Sequence, residues 1–460
     1  MISTINGLHC TVCRSGHLDF GLDAVICRTC GQEHPVLGGV PIMFAAVSVQ
    51  AQPAPHDDLG VHQVVTAFEL PSDPITLLRV RTLLRTKVRF GDALVQVESQ
   101  QFLHRVRNSG HDVDVSTTHA TPRETLRDLV TVPRYRWIKS YMPRRLAAGT
   151  PFLANMRLEN CGGVPLYTSG EGHALVALQW QHRDGTPASA PDQRTPLPID
   201  LAPGQAVTIP VSVAPPVRHG AYLLVVQLVQ EQVRWLDADA MTFAVTVGQD
   251  VPGPVPDGWV VLPTPPADYN TDHNRGFELL RDWLKHHAPL QPRVLEIGGN
   301  AAPMVSRLGA GFSRDLVNVD VDLLGLQVGR MLEQQRDAGV HHLCADAFDL
   351  PFASGYFDAV VIFASLHHFP DPDALLEHLR RKLRPGGFIG LFCEPVGHIW
   401  PGDVTAPFLA ELERGVNEQS FSLREYELIF NRAELAAVEV LVDMNSLKAR
   451  LVHVQPDHSR

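Results

Sequence analysis

The sequence predicts a multidomain chain: a four-cysteine metal ribbon over residues 1–50, a linker and helical segment over 51–145, a β-sandwich over 146–250 and an α/β doubly wound, Rossmann-like domain over 251–460. Three observations predict this. Cys10-x-x-Cys13 and Cys27-x-x-Cys30 are separated by 13 residues. Short apolar, alternating segments recur between turn residues from Phe152 to Val247. From Phe277 onward, helix-like and strand-like segments alternate, and the first strand runs directly into Gly298-Gly299. At 460 residues the chain has room for roughly two to four cores.

Composition narrows the function classes. The formal net charge is −11, and residues 251–460 hold 18 Lys+Arg against 28 Asp+Glu. An acidic domain is a poor match for a phosphate backbone, so nucleic acid is not the expected partner, and a small molecule suits it better. No apolar run is long enough to span a membrane, and no secretory signal pattern opens the sequence. The expected location is the cytoplasm. The oligomeric state stays open.

Within 1–50, Cys10, Cys13, Cys27 and Cys30 offer four thiolates at the spacing of one structural Zn2+ site. A segment this short buries too little apolar surface to fold alone, so the metal is expected to stabilise it. His9, His17 and His34 read as surface or turn residues, since four sulfurs complete the shell. Residues 50–58 are rich in Pro, Gln and Asp. Beyond them Leu77, Leu78, Val80, Leu83 and Leu84 fall in helical spacing among Arg79, Arg81, Arg85, Lys87 and Arg89. That stretch reads as a solvated basic face or as a dock for the acidic C-terminal domain.

From 146 to 250 the expected strands are 152–158, 174–181, 206–213, 221–230 and 241–247, with turns at Asp184-Gly185, Pro203-Gly204 and Pro215-Pro216. Trp180, Tyr222 and Trp235 are either core residues or a stacking platform. Cys161 reads as a buried apolar residue. In the C-terminal region a helix over 277–285 precedes a strand over 293–297, and the last two strands are expected at 437–443 and 448–455. Pro385-Gly386-Gly387 is expected to turn before the fifth strand.

Five ordered segments carry a resemblance: Val294-Leu295-Glu296-Ile297-Gly298-Gly299-Asn300, Val317-Asn318-Val319-Asp320, Cys344-Ala345-Asp346-Ala347, Phe357-Asp358-Ala359-Val360-Val361 and Leu383-Arg384-Pro385-Gly386-Gly387. This series resembles the class I S-adenosylmethionine-dependent methyltransferases of the methyltransferase type 11 group. The resemblance implies that Gly298, Gly299 and Asn300 wrap the methionine part of S-adenosylmethionine. Glu296 would help hold its amino group. Asp320, with Asp322 as the competing assignment, would accept from the ribose hydroxyls. Asp346 and the Ala347 N–H would read adenine. Ser365, His367 and His368 would lie beside the methyl group, either histidine being a candidate general base for a hydroxyl acceptor. Glu394, with Pro395, His398 and Trp400, would line the acceptor pocket. Family members usually carry further glycines where this chain has Asn300 and Ala302. Asparagine tolerates the left-handed backbone region that glycine occupies.

The tail from His34 to Met43 is similar to the end of the small zinc-ribbon activator subunit of translation-related methyltransferases. That similarity implies a ribbon able to dock on a methyltransferase. The segments Arg194 to Pro198, Pro203-Gly204, Gly220 to Tyr222 and Val233 to Trp235 are similar to the glycan-binding sandwich of polysaccharide-export ATPases. Together these imply methyl transfer to a small-molecule, glycan or glycolipid acceptor, as in polysaccharide biosynthesis. The alternatives are a non-catalytic Rossmann-like scaffold and a methyltransferase for tRNA or a translation factor.

Overall fold

The computed structural model describes residues 5–44, 133–170, 172–249, 251–309, 311–336, 339–398, 408–409, 412 and 417–454. The basic stretch from Leu77 to Arg89 and Trp400 lie outside the described residues. Two compact units emerge. One contains the described residues of 5–44, 258–396 and 427–454; the other contains those of 133–257 and 397–426. The linear division at 251–460 kept 397–426 with the C-terminal domain. In the structure the described residues of that stretch group with those of the middle of the chain.

The first unit opens with four short strands, β1 (Leu18–Phe20), β2 (Ala24–Cys27), β3 (Glu33–Leu37) and β4 (Val40–Pro41), paired in sequence order. Gly31 follows the second cysteine pair at φ 74°, a conformation that glycine adopts without a Cβ penalty. His34 is not a surface residue: it is buried in β3, and burial lowers its imidazole pKa to about 4.

The rest of this unit is an eight-stranded sheet. Its strands are β13 (Val260–Val261), β14 (Arg293–Ile297), β15 (Asp315–Asp320), β16 (Val340–Cys344), β17 (Phe357–Phe363), β18 (Leu383–Pro395), β19 (Leu435–Asp443) and β20 (Ser446–His453). The order across the sheet is β13-β19-β20-β18-β17-β14-β15-β16. β14 to β18 run parallel, and β20 enters antiparallel between β18 and β19. The chain order reverses between β14 and β17. An open parallel sheet binds ligands at such a switch, outside the carboxyl ends of its strands. The central strands are buried on both faces, which explains their near-continuous runs of Val, Ile, Leu and Phe.

Three helices of this sheet have clear local causes. α1 (Tyr269–His287) starts at Asp268, whose carboxylate accepts from Thr271 N, and buries Phe277, Leu280, Trp283 and Leu284 at three- and four-residue spacing. It is longer at both ends than the apolar spacing alone marked. α2 (Leu323–Arg336) starts at Asp322, which accepts from the N–H of Leu324 and Gly325. α3 (Pro372–Arg380) begins with Pro372 after the cap Asp371. Pro385-Gly386-Gly387 lies inside β18 and not before it; the register with β17 shifts between Phe357 and Ala359, so these residues form a bulge.

The ribbon strands join the edge of this sheet. Ile42 bridges Cys344 in parallel, and Met43 N donates to Cys344 O at 2.8 Å. Leu8 bridges Phe352, and His9 N donates to Pro351 O at 2.7 Å. Val40 and Ile42 share one apolar cluster with Leu323 and Leu326 of α2. The open edge of β16 is thereby covered.

The second unit consists of two antiparallel sheets around one core. One has the order β10-β7-β5, built from β5 (Tyr135–Ser140), β7 (Phe152–Asn160) and β10 (Ala206–Val213). The other contains β8 (Ala174–His182), β9 (Gln193–Pro196), β11 (Gly220–Gln230) and β12 (Arg234–Gly248), with β6 (Arg145–Ala147) pairing in parallel at its edge. Alternate residues of β7, β10, β8 and β11 supply the core between the sheets. β5 falls where the sequence suggested linker and helix; its run of Tyr, Trp and Ile pairs with β7 instead. Trp180 and Tyr222 are core residues packed edge to face, whereas Trp235 is exposed with the Arg194 guanidinium 5.0 Å from its ring centre. Cys161 is exposed, because β7 ends at Asn160 and the chain turns there.

A buried charge cluster closes the first unit beside β19 and β20. Lys448 is fully buried, ion-paired with Asp443 and with Asp272 at 2.6 Å, and it donates to Ser446 Oγ at 2.6 Å. Removing the ammonium would leave two carboxylates in a dry site. Lys448→Met is therefore expected to destabilise this unit by about 3–5 kcal/mol, measured by urea unfolding. A loss below about 1 kcal/mol would show that the carboxylates are solvated.

Candidate active site

The candidate site is built from the turns that follow β14, β15, β16, β17 and β18. After β14 the chain reverses at Gly298, whose φ is 77° and whose N–H donates to Val319 O. A Cβ there would meet Ser365 Oγ at 2.6 Å; one at Gly299 would meet Asn318 Oδ1 at 2.6 Å. Both glycines are needed for close approach. Asn300 takes a left-handed conformation, φ 43°, so asparagine replaces a glycine in backbone terms. Its side chain also ties the turn down: Nδ2 donates to Asp322 Oδ2 at 3.0 Å, and Oδ1 accepts from Ala301 N. Its carbonyl accepts from Asn318 Nδ2 at 2.8 Å.

Glu296 is buried at the end of β14. Its two oxygens accept from Met304 N at 3.0 Å and Val305 N at 2.8 Å, so it caps the 3-10 turn Met304–Leu308. Burial raises its pKa to about 7 against the opposing effect of those N–H groups; the Asp320 charge adds to the rise. Asp320, buried at the end of β15, accepts from Asn300 N at 3.0 Å and Asp322 N at 2.9 Å. Burial, then the Asp322 charge, raise it to about 6. Asp322 caps α2, the role that separates it from Asp320. Asp346 follows β16 and accepts from Phe348 N, capping the turn Ala347–Asp349.

The fourth turn is held from the neighbouring strand. Glu394 is fully buried near the end of β18, just after a bulge at which Cys393 has φ 60°. Its Oε1 accepts from Ser365 N and Leu366 N, and its Oε2 accepts from His367 N and from His367 Nδ1 at 2.9 Å. Ser365 Oγ donates to Ile297 O at 3.1 Å. The bond to Glu394 fixes the His367 tautomer with its proton on Nδ1, which makes Nε2 the basic nitrogen. The His368 ring lies beside it, tilted by 48°, ring centres 4.1 Å apart. His398, in the other unit, pairs with Glu425 at 2.6 Å.

The strand ends thus bring together Glu296, Gly298, Gly299, Asn300, Asp320, Asp346 and Ala347, and the β17–β18 pair brings together Ser365, His367, His368 and Glu394. Glu394 is placed as the anchor of the histidine turn. Sequence reasoning missed Tyr269 and His273, which begin α1. Their rings stack at 3.7 Å, and His273 lies 6.1 Å from the ring of Phe363 at the end of β17. The cap Asp268 just before them was the available signal. At the ribbon, Cys10 and Cys30 sulfurs are 3.7 Å apart and those of Cys13 and Cys27 are 3.5 Å apart, with all four within 4.8 Å. A zinc tetrahedron with Zn–S of about 2.3 Å needs sulfurs about 3.8 Å apart. Burial opposes charge on Cys27, but N–H groups of Cys30 and Thr29 and the neighbouring thiols outweigh it, lowering this thiol to about 6. The four residues fit the metal.

Comparison with known proteins bears on the same strands. Residues 295–391 match the model of the family described as "Methyltransferase domain". The chain therefore carries a methyltransferase domain on its parallel sheet. It is 28% identical over 135 residues to the ubiquinone/menaquinone biosynthesis C-methyltransferase of Coxiella burnetii, covering 28% of this chain and 50% of the relative. The corresponding protein of Vibrio parahaemolyticus is 30% identical over 150 residues, covering 31% and 53%. The chain thus spans about half the length of these curated relatives. Among solved structures, the YcgJ protein of Bacillus subtilis is 22% identical, covers 36% of this chain and 69% of its own, and has a TM-score of 0.29. Among the described residues, no helix is long and apolar enough to cross a membrane.

The raised carboxyl groups set a pH dependence. In the folded protein Glu296 and Asp320 hold protons up to about pH 7 and 6, well above their ordinary values near 4. The folded state binds more protons in that window, so these two groups make stability fall as pH rises from about 4 to 7. A ligand donating hydrogen bonds to the charged forms would bind more tightly as pH rises through the same window. Unfolding midpoints and binding titrations between pH 5 and 8 measure both trends; two flat profiles would show the carboxyls to be charged throughout.

Proposed function

We propose that this chain is an S-adenosylmethionine-dependent methyltransferase acting on a small-molecule, glycan or glycolipid acceptor in the cytoplasm, with one structural Zn2+ in its ribbon. The carrying observation is the position of Asp320: a buried carboxylate at the end of β15, oriented by the N–H groups of Asn300 and Asp322 beside the Gly298–Asn300 turn. That arrangement suits acceptance from two ribose hydroxyls. Asp346 and the Ala347 N–H, at the end of the next strand, suit an adenine edge. Gly298 and Gly299 let the turn pack tightly on Ser365 and Asn318, which suits a turn that wraps the methionine part, and Glu296 stands at the strand end just before it.

The bound cofactor supplies an activated methyl group. The chain's part is to orient the acceptor, exclude water and take a proton where the acceptor has one to lose. His367, oriented by Glu394, is the residue suited to that proton transfer at Nε2; His368 is its neighbour. Relatives named for C-methylation of quinones match over only about half their length, so their acceptor is not carried over.

The two-sheet unit is assigned to acceptor recognition as a β-sandwich. Supporting this is the hold it has on residues 417–425. Arg157 Nη1 donates to Asn417 Oδ1 at 2.5 Å, Thr208 Oγ1 to Gln419 Oε1 at 2.9 Å, and Asn155 Nδ2 to Ser420 O at 2.7 Å. These residues belong to the connection that leaves β18 shortly after Glu394.

Two tests address the cofactors. Asp320→Asn is expected to weaken S-adenosylmethionine binding by about 1.5–3 kcal/mol in calorimetric titration, the range for a hydrogen bond to a charged group. Unchanged affinity in a folded variant would reject Asp320 as the ribose ligand. Metal analysis should find about one zinc per chain, as a four-thiolate site requires, and Cys27→Ser should lose it and open the ribbon to protease. A metal-free chain equally resistant to protease would rule the zinc out.

A further inference from the structure

We infer that the ribbon is a working part of the cofactor site, with Arg14 as a positioning residue for the adenine-reading turn; this rests on the cofactor reading proposed above. The stretch from Ala345 to Ala353 connects β16 to the β17 side of the sheet and carries Asp346 and Ala347. Ribbon main chain grips it at both ends. Ile42 and Met43 pair with Cys344 at its start, while Gly7, Leu8 and His9 pair with Ala353, Phe352 and Pro351 at its end. Between these grips Arg14 Nη2 reaches Asp349 Oδ1 at 2.6 Å, on the same short turn that Asp346 caps.

Arg14 sits at φ 59°, immediately after Cys13. Its N–H donates to Cys10 O, closing the turn between the first two candidate metal ligands. The direction of the guanidinium therefore depends on the knuckle that the metal would fix. Buried Lys382 also holds this turn, donating to Leu350 O at 3.0 Å and Phe352 O at 2.7 Å. The turn is consequently held both by Lys382, just before β18, and by the ribbon. A Cβ on Gly7 would meet the Tyr356 ring at 2.4 Å, and one on Gly39 would meet Arg330 Nε at 2.2 Å, so the ribbon packs closely at both glycines.

The test uses the full chain and two readouts. Hydrogen exchange is followed at 345–353 and, as a reference, in β17, in zinc-loaded protein, chelator-treated protein and the Arg14→Ala variant. Faster exchange at 345–353 is expected in both altered forms, with β17 unchanged. Calorimetric titration with S-adenosylmethionine should show an affinity loss of about tenfold or more without zinc. Arg14→Ala, a half-exposed ion pair, should lose about two- to fivefold while retaining its zinc. Asp349→Ala should match it, and the double variant should be no worse than either. Unchanged exchange at 345–353 in zinc-retaining Arg14→Ala and in the chelated protein overturns the inference, even if the wild type binds no cofactor. Absence of wild-type cofactor binding, with exchange altered as expected, overturns the functional reading and leaves the ribbon's grip on the turn established.

Discussion

Buried carboxylates that receive backbone N–H groups organise the candidate site. Glu296 holds the turn at Met304 and Val305, Asp320 holds Asn300 and Asp322, and Glu394 holds Ser365, Leu366 and His367. Each stands at the carboxyl end of a parallel strand, and each fixes the turn after its own strand or a neighbour's. A carboxylate in a dry site is costly unless such donors surround it. The donors offset that cost only partly at Glu296 and Asp320, whose pKa values stay raised. Energy invested there can be recovered by a ligand that brings further donors or positive charge.

That constraint explains the substitution at Asn300. A glycine would accept the left-handed backbone, but it could not reach Asp322. The asparagine amide links the turn to the cap of α2, and Asn318 links it to the strand beneath. The turn gains side-chain hydrogen bonds where a glycine-rich loop would rely on backbone alone. Gly325 leaves the room that this needs, since a Cβ there would meet Asn300 Oδ1 at 1.9 Å.

Much of the first unit was legible in the sequence. The run Arg293–Ile297, the acidic residues at strand ends and the glycine pair report local rules, and they survive folding because burial and turn geometry act within a few residues. The cysteine spacing reports directly the meeting of four sulfurs. What was not legible depends on contacts far apart in sequence. Nothing around Glu394 states that it will reach back to Ser365 and His367, because a bulge at Cys393 aims it. Nothing in Ile42 states that it will bridge the end of β16, and nothing in Leu8 that it will bridge Phe352. β5 was hidden differently: Tyr135 to Ser140 has the alternation of a strand, but Arg134, Arg136, Lys139, Arg144 and Arg145 make its neighbourhood basic. His34 and Cys161 exchanged expectations because burial is set by what packs on the position and not by residue type: His34 is buried within β3, and Cys161 is exposed just past the end of β7.

The most direct test of the account is photochemical labelling of the full-length, zinc-loaded chain with radiolabelled S-adenosylmethionine, followed by peptide mapping. The account predicts label on peptides spanning 296–300, 320–322 or 345–349, and its disappearance in the presence of excess unlabelled cofactor. Saturable label confined to residues outside the carboxyl ends of β14 to β18, or no saturable label at all, would contradict it.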